Sequence, residues 1–151
     1  MITRESPVTP DLALLFERHT ADMFAETPPE SIYMMDASEL DTPLVQFFVA
    51  RQAGRPLAMG AFKHLSGTHG EIKSMHVLAE ARGRGLSKAI LAHVEAAARA
   101  SGVTRLSLET GIQTTFVAAR ALYEKAGYSI CGAFEGYWDD PNSLFMTKAL
   151  G

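Results

Sequence analysis

The sequence predicts an α/β protein, one mixed β-sheet flanked by helices, in a single domain over residues 1–151. Three observations carry this. Apolar runs of strand length alternate with stretches of helical period, and strand-helix-strand units around one sheet imply an α/β sandwich. The stretch from Glu71 to Gly102 contains such a passage, a strand followed by a glycine-rich basic turn and then a helix. Apolar residues make up 47% and charged residues 21% of the 151 residues, an ordinary globular balance in a chain long enough for a real core.

The elements follow in order. Thr9 is placed as the cap of a first helix, with Pro10 at its first position and Leu12, Leu15, Phe16, His19 and Met23 along one face. Thr27-Pro28-Pro29-Glu30 ends it. Residues 31–43 have no clean period and read as a loop or short helix, in which Tyr33, Met34 and Met35 line a substrate pocket or serve as flexible core filler. Val45 to Arg51 and Pro56 to Leu65 form a hairpin around Gln52-Ala53-Gly54, and a second turn at residues 66–70 leads into a strand over Ile72 to Leu78. The next helix carries Leu86, Ile90, Leu91, Val94 and Ala98 on one face and stops at Gly102. Val103 to Glu109 is a strand, and a helix runs from about Thr115 to Ala126 with Thr114 or Thr115 as cap and Gly127 as stop. Tyr128 to Ala133 and Leu144 to Ala149 are the last strands, separated by an irregular FEGYWDDPNS segment.

Composition excludes several classes. A net charge of −3 leaves no electrostatic footprint for general nucleic-acid binding. Cys131 is the only cysteine, so there is no disulfide framework, and this suits a reducing cytosol. No apolar run approaches membrane-spanning length, and the N-terminus has no signal-peptide pattern. These features together give the expectation of a cytoplasmic location. His64 and His69 lie across a turn without a carboxylate or thiol companion, so no metal site is expected.

The chemistry concentrates in Arg82-Gly83-Arg84-Gly85-Leu86-Ser87. Glycines there let backbone N–H groups approach a ligand, and the helix start adds unpaired donors and partial positive charge. Two arginines beside such a turn favour an anion, most simply a phosphate. The turn lacks the Gly-Lys-Ser/Thr ending of a P-loop and the GxGxxG spacing of a dinucleotide-binding turn. It resembles instead the Arg/Gln-x-x-Gly-x-Gly/Ala signature of the GCN5-related N-acetyltransferases (GNAT family). Arg82 and Gly85 match, while Ser87 stands where the family usually has Gly or Ala. A second segment, Ala121-Leu122-Tyr123-Glu124-Lys125-Ala126-Gly127-Tyr128, is similar to the family's Leu/Phe-Tyr-x-x-x-Gly-Phe/Tyr signature. Phe116 occupies the position, seven residues before Tyr123, where many members carry an asparagine.

The resemblance covers most of the chain, most weakly before residue 44, and it implies a mostly antiparallel central sheet. It implies acetyl-CoA as co-substrate, with its pyrophosphate on the amides of residues 82–88 (Arg82, Gly83, Arg84, Gly85, Leu86, Ser87 and Lys88). It also implies backbone groups of Met75 and Val77 at the pantetheine and acetyl carbonyl, and the Tyr123 hydroxyl as proton donor to the departing thiolate. Moving an acetyl group to an amine needs a proton acceptor for the amine, a donor for the oxyanion, an acid for the thiolate and both reactants held together. Glu71, six residues before Val77, resembles the general base of histone-acetylating members; it reads equally as a strand-edge surface carboxylate. Glu109 is a second candidate base or an amine-binding carboxylate. If Glu71, Glu109, Asp139 and Asp140 share a cleft they attract a cationic amine. Tyr137 and Trp138 wall the acceptor site or anchor the loop, and Ser74 and His76 read as structural. The expected function is therefore an N-acetyltransferase for a small-molecule amine, an amino acid or other amine, acting by direct transfer in a ternary complex. The alternatives are a non-catalytic acyl-CoA-binding sensor or regulatory module, or a protein-amine acetyltransferase. An apolar edge is compatible with a homodimer.

Overall fold

The computed structural model describes all residues, 1–151. Seven strands form one sheet, β1 (Ile2–Arg4), β2 (Val45–Gln52), β3 (Arg55–His64), β4 (His69–Val77), β5 (Arg105–Gly111), β6 (Ser129–Cys131) and β7 (Ser143–Ala149). Their order is β1-β2-β3-β4-β5-β7-β6. Every neighbouring pair is antiparallel except β4 with β5. The helices are α1 (Ala13–Glu26), α2 (Ala37–Leu40), α3 (Leu86–Ala100) and α4 (Val117–Lys125). No helix is long and apolar enough to cross a membrane.

Alternation along β2 divides the core between the two faces. Phe47 stacks on Phe16 of α1 at 5.7 Å, while its neighbour Phe48 meets His93 of α3 at 4.8 Å. The two long helices therefore cover opposite faces. The periodic residues of α3, Ile90, Leu91, Val94 and Ala98, are all buried. Gly60 on β3 permits this approach, because a Cβ there would sit 2.4 Å from Ile90 Cγ2 and 2.5 Å from Met75 Sδ.

Two features of β4 create a site. It pairs with β5 only over His69, Gly70 and Glu71, beyond which neither strand continues the ladder and the sheet opens between them. The β3–β4 register also shifts between Met59 and Ala61, and Ser74 takes a positive φ of 58° within that bulge. The extra residue exchanges the faces of the strand. Met75 then packs toward α3, while His76 joins the α1 face and meets His19 at 5.3 Å.

Several local expectations are corrected. β1 has no counterpart in the sequence reading, since three residues on an edge carry no usable period. Thr9 does not cap α1; a 3-10 turn over Pro10–Leu12 precedes the helix, and the Thr9 hydroxyl bonds Ser6 O instead. Neither Thr114 nor Thr115 caps α4, which also enters through a 3-10 turn, Thr114–Phe116. The loop at 31–43 does contain a short helix, closed by a capping box between Asp36 and Glu39. Gly127 ends α4 at φ +100°, with Tyr128 N–H returning to Tyr123 O at 3.0 Å.

Candidate active site

The opening between β4 and β5 holds a cavity of about 110 Å³, walled by β4, β5, the end of α1, the 31–34 loop and α4. Glu71, Glu109, Tyr123, Tyr33, Tyr137 and Met75 line it, so residues spread over a hundred sequence positions meet at one place. Val77 is buried one step further along β4 and does not line this cavity. Beyond Glu71 the β5-facing edge of β4 has no strand partner.

Glu71 is not a surface carboxylate: it is 4% exposed. Its alternation partner Lys73 lies 3.2 Å from Glu71 Oε2, and the Tyr137 hydroxyl donates to the same oxygen. Lys73 also donates to Tyr33 O and to the Tyr137 hydroxyl, both at 3.1 Å. Sequence reasoning missed Lys73, although its i+2 spacing from Glu71 on a strand puts the two on one face. Glu109 is held differently. Its only hydrogen-bond donor is Ser143 Oγ at 2.7 Å, and burial, opposed by that bond and by Lys73, pushes the carboxyl up to about 7. A carboxyl poised near neutrality in a cavity is what general-base work requires.

Tyr123 is buried in the same wall, and its hydroxyl bonds to no protein group. Burial raises its pKa above the ordinary tyrosine value, so it stays protonated at neutral pH. Its ring packs edge-on to Tyr128 at 5.7 Å. Tyr33 and Tyr137 close the mouth together, their rings 5.0 Å apart, with the Tyr33 hydroxyl on Asp140 Oδ2 at 2.5 Å. Asp140 therefore serves the loop rather than the cavity. Asp139 and Trp138 are exposed and line nothing there, so of the four carboxylates considered together only Glu71 and Glu109 share the cleft.

At the other end of β4 the glycine-rich turn leads into α3, as the sequence order implies. Gly83 and Gly85 take φ of 81° and 76°, and Gly85 opens α3. The first amide of this helix to find an acceptor is Ala89, on Gly85 O at 3.1 Å. The N–H groups of Gly83, Arg84, Gly85, Leu86, Ser87 and Lys88 donate to no protein atom, a row of open donors at a helix start suited to a pyrophosphate. The two arginines do not point their charge at this row, as the sequence reading expected. Arg82 bonds Asp22 Oδ2 at 3.1 Å and Val77 O at 3.3 Å, and Arg84 reaches Gln52 Oε1 at 3.1 Å and Glu80 O at 3.4 Å. The donors come from the main chain, and Arg82 staples the turn to α1. No group of His, Cys, Asp and Glu side chains is arranged to hold a metal ion.

A splayed β4–β5 pair, a row of open amides at the following helix and a cavity lined by two glutamates and three tyrosines form one candidate active site on an α/β fold. The sequence pattern of the Acetyltransferase (GNAT) family matches residues 12–128. The chain is 41% identical over 136 residues to the uncharacterized N-acetyltransferase YsnE of Bacillus subtilis, covering 90% of each. It is 39% identical to the IAA acetyltransferase of Azospirillum brasilense, covering 99% of this chain and 97% of the other. Its fold superposes with a TM-score of 0.81 and 30% identity on a Klebsiella pneumoniae protein assigned as an acyl-CoA N-acyltransferase, over 100% and 97% of the two chains. It also matches, at a TM-score of 0.74 and 16% identity over 99% and 97% of the chains, an aminoglycoside 6′-N-acetyltransferase crystallised with coenzyme A. The chain belongs to the GNAT acetyltransferase family and is an N-acetyltransferase.

Proposed function

We propose that the protein acetylates the primary amine of a small molecule, with acetyl-CoA as donor and both reactants bound together. The observation that carries this is the presence of Glu109 and Tyr123, a base near pH 7 and a protonated phenol, in one cavity. Acetyl-CoA supplies the acetyl group as an activated thioester. Glu109 takes the ammonium proton so that the nitrogen lone pair is free to attack. Tyr123 gives its proton to the departing sulfur as the C–S bond breaks, the proton shed by the acylated nitrogen restores the phenol, and the unpaired edge of β4 around Met75 and Val77 offers main-chain hydrogen bonds to the acetyl oxygen and the pantetheine. The amides of Gly83 to Lys88 hold the pyrophosphate. Glu71 already accepts from Tyr137 and pairs with Lys73, which favours a positioning role for it over that of free base. The size of the cavity and its roofing by Tyr33 and Tyr137 favour a small acceptor over a protein segment.

The name of the Azospirillum brasilense relative, IAA acetyltransferase, supports a second reading of the acceptor, IAA, which belongs in the same screen. Isothermal titration with acetyl-CoA, with ATP and NAD as controls, tests the row of open amides as its binding site. A panel of amines and IAA followed by free-thiol release then tests turnover. Saturable binding of acetyl-CoA and thiol release with an amine are expected; absence of acetyl-CoA binding would overturn the proposal.

A further inference from the structure

Taking the proposed amine acetylation as given, the cavity's polar groups also discriminate among amines. Its only lysine or arginine is Lys73. An ammonium has three protons to donate, and Lys73 directs them at Glu71 Oε2 (3.2 Å), Tyr33 O (3.1 Å) and the Tyr137 hydroxyl (3.1 Å). No cation is left for an acceptor's carboxylate. The carboxylates that face the same space, Glu71 and Glu109, add repulsion.

The cavity lining also carries polar groups that the protein leaves unpaired. Thr27, which ends α1, is 9% exposed and its hydroxyl has no hydrogen-bond partner; the Ser74 hydroxyl on the β4 bulge is likewise buried without one. His19 is 5% exposed and bonds to nothing, and burial beside His76 keeps it neutral by lowering its pKa to about 4. All three line the cavity. Buried polar groups are ordinarily paired, and three unpaired ones around a single cavity indicate that a ligand supplies the partner. All three are uncharged.

We infer that the acceptor is a primary amine whose second polar group is uncharged, a hydroxyl or carboxamide, which His19, Thr27 and Ser74 recognise while Glu109 takes the amine. A free amino acid, with its carboxylate beside the amine, fits the site poorly. This narrows the expectation drawn from sequence, which placed amino acids among the acceptors.

The test compares matched acceptors at saturating acetyl-CoA: alanine, leucine and phenylalanine, their carboxamides and their amino alcohols. The readout is kcat/KM from thiol release. The carboxamides or alcohols should exceed the parent amino acids by roughly tenfold or more, the usual penalty for burying an unpaired charge. In Thr27→Val the KM for the preferred acceptor should rise several-fold while acetyl-CoA affinity by titration stays unchanged. Equal or better turnover of the free amino acids overturns the inference. So does failure of every uncharged-polar amine while acetyl-CoA still binds. Loss of acetyl-CoA binding in the unaltered protein would count instead against the proposed function.

Discussion

Tyr137 reaches across the cavity to donate its hydroxyl proton to Glu71, tying the segment before β7 to the middle of β4. The same hydroxyl accepts from Lys73, so the loop, the carboxylate and the ammonium form one unit beside the acceptor space. Tyr137→Phe keeps the ring contacts with Tyr33 and Phe145 but removes both hydrogen bonds. The KM for the amine should rise about tenfold, the scale of a lost bond to a charged group, with acetyl-CoA affinity unchanged. Steady-state kinetics beside isothermal titration checks this; an unaltered KM would separate the loop from acceptor binding.

Glu109 gives the pH dependence its sign. As base it must be ionised, so kcat/KM should climb about tenfold per pH unit below 7 and level off above it. Glu109→Gln should remove that limb and lower kcat about a hundredfold. Stability moves the other way. The folded carboxyl titrates near 7 and the unfolded one near its ordinary 4.5, so the folded state keeps a proton that the unfolded state has released. The contribution of Glu109 to stability is present below about 4.5 and is lost as pH rises through about 7. Thermal melts between pH 4.5 and 8 should show the glutamine variant losing less stability across that window.

Tyr123→Phe deletes a hydroxyl that holds nothing else in place. Turnover should fall ten- to a hundredfold, about the range of a general acid, while the melting temperature and acetyl-CoA affinity hold. Equal turnover in the variant, with chemistry established as rate-limiting by single-turnover kinetics, would remove Tyr123 as the acid.

How far the sequence spoke depends on the range of the signal. Helix α3, its stop at Gly102 and the glycine-rich turn before it were legible because they rest on local period and on residue type. Motif resemblance singled out Tyr123, whereas Glu109 was a candidate only by its place at a strand end, and no local rule brings β5 and α4 to one cavity. The bulge at Ser74 left no trace, because a serine at positive φ is imposed by the β3–β4 ladder and not by its own preference. The burial of Glu71 was ambiguous for the same reason. A carboxylate on a strand reads as solvent-facing until Lys73 and Tyr137, 66 residues away from it, are seen to pair it.

Gly85 separates main-chain from side-chain recognition at the turn. An added Cβ would meet no protein atom within 4 Å, so Gly85→Val does not clash with the fold itself. Its cost comes from the positive φ of 76°, which a β-branched residue resists, and from methyl groups placed before the open amides. Acetyl-CoA should bind at least tenfold more weakly by titration. Arg84→Gln, which removes a charge already bonded to Gln52 and Glu80, should change affinity far less. If the arginine variant were the weaker binder, recognition would rest on the guanidinium and not on the main chain.

Glu95 on α3 is a buried charge outside the cavity, and it holds the sheet and helix together behind the active site. Its Oε2 accepts from the Tyr128 hydroxyl at 2.8 Å and from Lys148 Nζ at 3.0 Å, and Lys148 lies 5.5 Å from the centre of the Tyr128 ring. Removing only the cation strands the carboxylate at 11% side-chain exposure. Lys148→Met should therefore destabilise by about 2 kcal/mol, more than an exposed ion pair is worth. The double variant Glu95→Leu with Lys148→Met should recover much of that loss, because the uncompensated charge goes with it. Denaturant melts of the two variants against the parent measure both steps. A double variant no more stable than the single one would show that the Tyr128–Glu95 bond, and not the charge pairing, secures α3 to the sheet.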